Sequence, residues 1–379
     1  MPLSTFTGTT GADTLSAADS TDDWTVDGDE GNDSLVTGSG NDTIKGGDGS
    51  DTVSSGSGDD ILSYAGDALP SGYDTVDGGA GFDQIIALAD DTIIRISGIS
   101  GVEQISAGGF ANVGFFAGDG ADLLDFSSVD LVGIATIKGG KGNDTIIGST
   151  GDDTIFGGAG NDSLSGGAGN DVFRIGKPSG MDSFDGGAGT NRIEAALDYA
   201  RIGISAIANI QQISNNGFAH TMVVGSTLAD TLDLGSVQLT GVESISLGAG
   251  NDTLVGSSAA DTIIGGAGAD QLSGGGGADH FVFNLYTESR LGRYDRILDF
   301  TSGQDVIDVH AIDADTLTTG DQAFTLIGNS AFHGIAGELR VFQGGGMTCI
   351  RGDLNGDGLA DFDIRLATGM TLTTGDFIL

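Results

Sequence analysis

A single cysteine, Cys349, in 379 residues excludes an intramolecular disulfide. Nothing covalent staples the chain, the count gives no direct sign of an oxidising compartment, and the thiol is expected to serve as a small hydrophobe. Basic residues are also scarce. Only 14 Lys and Arg stand against 54 Asp and Glu, a formal charge of -40, which makes nucleic acid and anionic membranes poor partners and cations good ones. No apolar run approaches 18 residues, and the opening "MPLSTFTGTTGADTL" has neither a basic n-region nor an apolar h-region. A membrane span and Sec-type export are therefore not expected. Catalytic signatures are missing too: there is no H-E-x-x-H, G-x-S-x-G or P-loop, and His220, His280, His310 and His333 are scattered along the chain.

What the chain has in abundance is glycine, 69 residues of it, and the glycine is periodic. Four nine-residue units, "GDEGNDSLV", "TGSGNDTIK", "GGDGSDTVS" and "SGSGDDILS", fill residues 28–63 without a break. A second run fills 139–174 and a third 247–282, making twelve units in three blocks, with an outlying unit "GTTGADTLS" at 8–16. Each block is followed by a related coda, "GYDTVDGGAGFDQII", "GMDSFDGGAGTNRIE" or "RYDRILDFTSGQDVID". Two similar inserts separate the blocks, and their short β-branched runs between Gly, Asn and Asp turns predict further parallel strands rather than helix. The fold class expected is all-β, a parallel β-roll or β-helix solenoid of glycine-rich nonapeptides. The pattern divides the chain into an amino-terminal cap at 1–27, block one with its insert at 28–138, block two with its insert at 139–246, block three with its coda at 247–309, and a carboxy-terminal cap at 310–379.

Within a nonad, position eight is apolar, as in Leu35, Ile44, Val53 and Leu62, and in a three-residue strand only that side chain faces inward. Position six is Asp. If each nonad is half a coil, units n and n+2 stack about 4.8 Å apart, so successive carboxylates repel by roughly 1 to 3.5 kcal/mol per pair. A divalent ion between the loops reverses the sign. Carboxylates and backbone carbonyls are hard oxygen donors, and a flexible cage of them favours Ca²⁺ over Mg²⁺ or Zn²⁺. Each ion at 10 to 100 times its Kd stabilises the folded chain by about 1.4 to 2.7 kcal/mol, so several calcium sites decide whether the chain folds.

These units resemble the GGxGxDxUx nonapeptides of the RTX (repeat-in-toxin) proteins. The resemblance implies calcium held between successive turns of a β-roll, with the position-six carboxylates as main ligands. In this sequence these are Asp33, Asp42, Asp51 and Asp60, then Asp144, Asp153, Asp162 and Asp171, then Asp252, Asp261, Asp270 and Asp279. The coda acids Asp74, Asp83, Asp182, Asp295, Asp299 and Asp305 are candidates to extend the stacks, with Asn191 replacing an acid in the middle copy. Weakened sites are expected in "GSSAADTII", where Ala259 replaces a glycine, and in "TGSGNDTIK" and "SGSGDDILS", which lack the first one. Residues 274–379, with "AGELRV", "GDLNGDGLADFDIRL" and the final "DFIL", resemble the carboxy-terminal module of serralysin-type secreted proteases. That implies a type I secretion machinery as partner, reading Asp376, Phe377, Ile378 and Leu379. Asp353, Asn355, Asp357 and Asp361 with Gly358 also fit an EF-hand-like loop, but Ile364 stands where the bidentate Glu belongs. A tight hairpin is the favoured expectation there.

The function expected is that of an extracellular calcium-binding protein that folds on Ca²⁺ outside the cell and acts as a non-catalytic structural, surface-layer, matrix or adhesion component. Self-association and extracellular polysaccharide are candidate partners. The alternative is polysaccharide binding, or lyase- or epimerase-like chemistry, on the inserts. Tyr199, Arg201 and His220 are the local cluster of suitable residue types for it.

Overall fold

The computed structural model describes residues 2–65, 72–176, 180–367 and 369–379. Among these the chain is all-β, with one 3-10 turn at Thr374–Asp376 and no helix long and apolar enough to cross a membrane. It divides into two compact units, residues 1–194 with 208–210, and residues 195–207 with 211–379.

In the first unit the nonads are built as their spacing dictates. Strands Ser34–Val36, Thr43–Lys45 and Thr52–Ser54 each bury only the middle residue, Leu35, Ile44 or Val53, while both neighbours stay outside. Pairing is parallel and always with the unit after next: Leu35 sits beside Val53 and Ile44 beside Leu62. Alternate units thus build alternate sheets, and every rung adds one aliphatic side chain, contributing about 1.5–3 kcal/mol when fully buried. The first insert continues the coil as predicted. Strand Ile93–Ser100 pairs in parallel with Asp74–Asp77 and with Gly114–Phe116, which in turn pairs with Thr136–Lys141. Its rungs bury larger side chains, and Phe115 packs edge-on against Phe126 at 4.9 Å.

In the second unit Thr221–Val224, Val242–Ser246, Thr262–Ile264, His280–Val282, Val306–Asp308 and Phe377–Ile378 follow one another in parallel. The tail extends the other sheet. Phe362–Leu366 pairs in parallel with Asp295–Ile297, and two antiparallel hairpin partners, Met347–Asp353 and Glu338–Gly344, are added beyond it. Cys349 is buried in the middle one, as its expected role requires.

Candidate metal centre

Each nonad loop leads into its strand through the position-six Asp, and these carboxylates form ladders. Asp33 donates its N–H to Asp51 Oδ1 at 2.9 Å, and Asp51 donates to Asp74 Oδ1 at 2.9 Å. The alternate ladder runs Asp42 to Asp60 at 2.7 Å and Asp60 to Asp83 at 2.9 Å. Block two repeats this through Asp144, Asp162 and Asp182, and through Asp153, Asp171 and Asn191. Block three does so through Asp252, Asp270 and Asp295, and through Asp261, Asp279 and Asp305. One oxygen of each such carboxylate thus accepts from the preceding rung's backbone.

The other oxygen is the test of whether a cation fits. Oδ2 of Asp33, Asp42, Asp51, Asp60, Asp83, Asp144, Asp162, Asp171, Asp252, Asp270 and Asp295 is buried with no hydrogen-bond donor within reach. An ionised oxygen left so is strongly unfavourable unless a charge of opposite sign meets it. The loops leave room above it, since a Cβ on Gly157 or Gly166 would overlap Oδ2 of Asp162 or Asp171. Burial, with neighbouring-rung carboxylates adding to it, pushes Asp60, Asp144, Asp171, Asp270 and Asp279 up to about 6. Asp295 is pushed up to about 8 for the same reasons. Among the described residues no three His, Cys, Asp or Glu side chains cluster as a compact metal site. Each rung brings a single carboxylate, so the remaining donors have to be backbone oxygens, a hard set that suits calcium.

Not every expected residue is placed alike. Asp74 Oδ2 accepts from the Tyr64 hydroxyl at 2.7 Å, and Asp153 Oδ2 accepts from Ser149 N and Oγ at 2.7 and 3.0 Å. Asp261 takes both Ser257 donors, and Asp305 Oδ2 takes Thr301 N at 2.7 Å. Asp299 lies outside the ladders, exposed, accepting from Gly274 N and Gly275 N. The loops lacking the first glycine keep open oxygens at Asp42 and Asp60, because Thr37 and Ser55 turn their hydroxyls onto the Ser55 and Gly78 carbonyls. Four ladder members were missed. Asp13, Asp122 and Asp230 donate to Asp33, Asp144 and Asp252, and Glu103 accepts from Asp83. The available signal was the same nonad in degenerate form, "AGDGADLLD", "GSTLADTLD" and "GISGVEQIS", inside the inserts.

The remaining candidates are closed on themselves. In the EF-hand-like loop Asp353 Oδ1 accepts from Gly356 N at 2.7 Å, Asp353 Oδ2 from Gly358 N at 2.9 Å and Asp361 Oδ2 from Leu354 N at 2.7 Å, which is the expected hairpin. Tyr199 and His220 stack at 4.5 Å on the surface, and His220 Nδ1 lies 3.0 Å from Glu243 Oε2. His280 and His310, distant in sequence, meet on the two oxygens of buried Asp308.

A ladder of buried carboxylates on a parallel β-solenoid defines a calcium-binding β-roll. The RTX calcium-binding nonapeptide repeat model matches four times, at residues 27–62, 71–94, 138–173 and 247–281. The chain carries RTX calcium-binding repeats, and these repeats bind multiple Ca²⁺ ions. The metalloprotease AprA of Pseudomonas entomophila is 40% identical over 84 residues, which is 22% of this chain and 16% of that protein's length. This chain therefore matches only a small part of that relative. Among solved structures, the AlgE6R2 subunit of the Azotobacter vinelandii mannuronan C5-epimerase is 32% identical, covering 41% of this chain and 90% of that one with a TM-score of 0.31. The extracellular lipase LipA of Serratia marcescens is 22% identical, covering 64% and 40% with a TM-score of 0.29.

Proposed function

We propose that this protein is exported unfolded, folds on calcium outside the cell, and serves there as a non-catalytic structural, surface-layer, matrix or adhesion component. The position-six carboxylates hold the ions. One observation carries the reading: among the described residues, eleven buried oxygens of the ladder carboxylates have no protein donor. A fold organised around so many unsatisfied anions is stable only where a cation is plentiful, and calcium, when bound, supplies the positive charge. Residues 274–379 act as a serralysin-type module whose last residues a type I system reads. Phe377 and Ile378 pair with Ile307 and Asp308 once folded, so such a signal is presented by the ion-free chain. Far-UV circular dichroism tests the reading: chelator is expected to abolish the strand spectrum and calcium to restore it. A strand-rich spectrum indifferent to chelator at low ionic strength overturns it.

A second reading, polysaccharide binding, is favoured by a row on the outer face of the first unit. Arg95 neighbours Phe116 and Phe116 neighbours Lys138 across adjacent strands, and Lys138 neighbours Phe156. The Lys138 ammonium lies 4.3 and 5.4 Å from the two Phe rings, and Arg174 lies 5.8 Å from Phe156. Such a row of cations and aromatic faces suits a carboxylated glycan. Retardation in gels containing a polyuronate, lost in a Lys138→Ala/Arg174→Ala variant, supports this reading. Turnover of alginate or pectin lost on His220→Ala overturns the non-catalytic one.

A further inference from the structure

The carboxylates of the ladders fall into two kinds, and the second residue of the loop separates them. Where Oδ2 is open, that residue is almost always left-handed: Asp29, Gly47, Gly56, Gly79, Gly140, Gly158, Gly167, Gly248 and Gly266 have φ between 71 and 118°. Their own carboxylates, from Asp33 to Asp270, have no donor on Oδ2. Where Oδ2 is closed, the second residue is Thr9, Ser149, Ser226, Ser257 or Thr301, or Gly118, and none of these has positive φ. Its N–H instead turns inward onto Oδ2 of Asp13, Asp153, Asp230, Asp261, Asp305 or Asp122, at 2.5 to 2.8 Å. Ser and Thr resist the left-handed region, which a Cβ makes unfavourable, so their presence selects the closed form.

The closed loops lie at the ends of runs. Asp13, Asp122 and Asp230 lead into Thr14–Ser16, Leu123–Asp125 and Thr231–Asp233, each the first strand of its sheet. Asp153 and Asp261 resume a run after an insert. Asp305 is followed on its sheet by the strand after Asp376, whose Oδ2 is closed in the same way by Thr373 N and Oγ1 at 2.6 and 3.0 Å.

We propose that the second loop residue marks where a row of calcium ions stops: a left-handed residue there leaves the carboxylate to an ion, and Ser or Thr there substitutes its N–H for the ion, joined by its hydroxyl except at Thr301. Asp13, Asp153, Asp230, Asp261 and Asp305 are then ion-free caps that let each row end without an exposed, unpaired charge. The inference rests on the calcium reading and narrows it, because it removes Asp153, Asp261 and Asp305 from the ligand set. The loops at Asp42 and Asp295 are outside the rule, since Gly38 and Leu291 lack positive φ and Oδ2 is open all the same, and Asp74 Oδ2 is closed by Tyr64 instead.

The test compares two neighbouring units in the full chain. Bound calcium per chain is measured by equilibrium dialysis and atomic absorption for the wild type, Asp270→Asn and Asp261→Asn. Asp270→Asn is expected to lose at least one ion and Asp261→Asn none. Equal losses in both overturn the inference while leaving calcium binding intact, and a wild type that binds no calcium overturns both. Anomalous diffraction from calcium or terbium in wild-type crystals needs no variant. Peaks beside Asp33, Asp162 and Asp270 but none beside Asp13, Asp153 or Asp261 support the caps, and a peak at any of the latter three overturns them.

Discussion

At the scale of single residues, the decisive quantity is the space above a carboxylate. Gly157 leaves that space over Asp162, so a methyl group there has to displace either the carboxylate or the loop. Gly157→Ala is expected to destabilise the calcium-loaded fold by about 1–3 kcal/mol, the usual range for overpacking, and to raise the calcium concentration at half-folding. Gly176, with open space around it and no positive φ, is the control: alanine there leaves the midpoint within experimental scatter. Calcium titrations followed by circular dichroism compare the two directly.

At the scale of the rung, a nonad is a machine for burying one side chain, and its energetics are those of an ordinary core. Ile146→Ala removes a fully buried residue whose neighbours on both sides are aliphatic, Leu124 and Leu164, and is expected to cost about 2–5 kcal/mol. Thr145→Ala, on the outer side of the same strand, is expected to stay within about 0.5 kcal/mol. Urea unfolding in saturating calcium measures both. The rung was also the part of the molecule most legible in the sequence. Position eight, the pairing of n with n+2 and the continuation of strands through the inserts all follow from a period of nine with one inward residue. Which carboxylates are open was not legible from Asp at position six alone. Apart from Asp42 and Asp295, that follows whether the second residue turns left-handed, a backbone property that the Asp pattern does not encode, and the loops lacking the first glycine keep open oxygens at Asp42 and Asp60. Asp13, Asp122 and Asp230 escaped because their nonads carry other residues at the glycine positions or lie inside an insert. The meeting of His280 and His310 on Asp308 depends on the pairing of one strand with another and has no short-range signal.

For the whole molecule, the ladders turn charge into a condition for folding. The carboxylates raised to about 6, such as Asp60 and Asp144, bind protons more tightly folded than unfolded, where the ordinary value is 3.8. The ion-free fold therefore gains stability below about pH 4 to 6 and loses it as pH rises through that window. Chelated protein is expected to show more strand signal near about pH 4.5 than near about pH 7.5, whereas the calcium needed for half-folding rises on acidification because protons compete for the same oxygens. A chelated protein equally unfolded at both values contradicts this. The pairing of each unit with the one after next has a further effect on how such a chain varies over generations. Losing or duplicating one nonad moves the nonads that follow it in its block to the opposite sheet together with any insert after them, while losing or duplicating two returns each to its own side. Viable length variants of this protein should therefore differ by even numbers of nonads, and the heritable module is the pair.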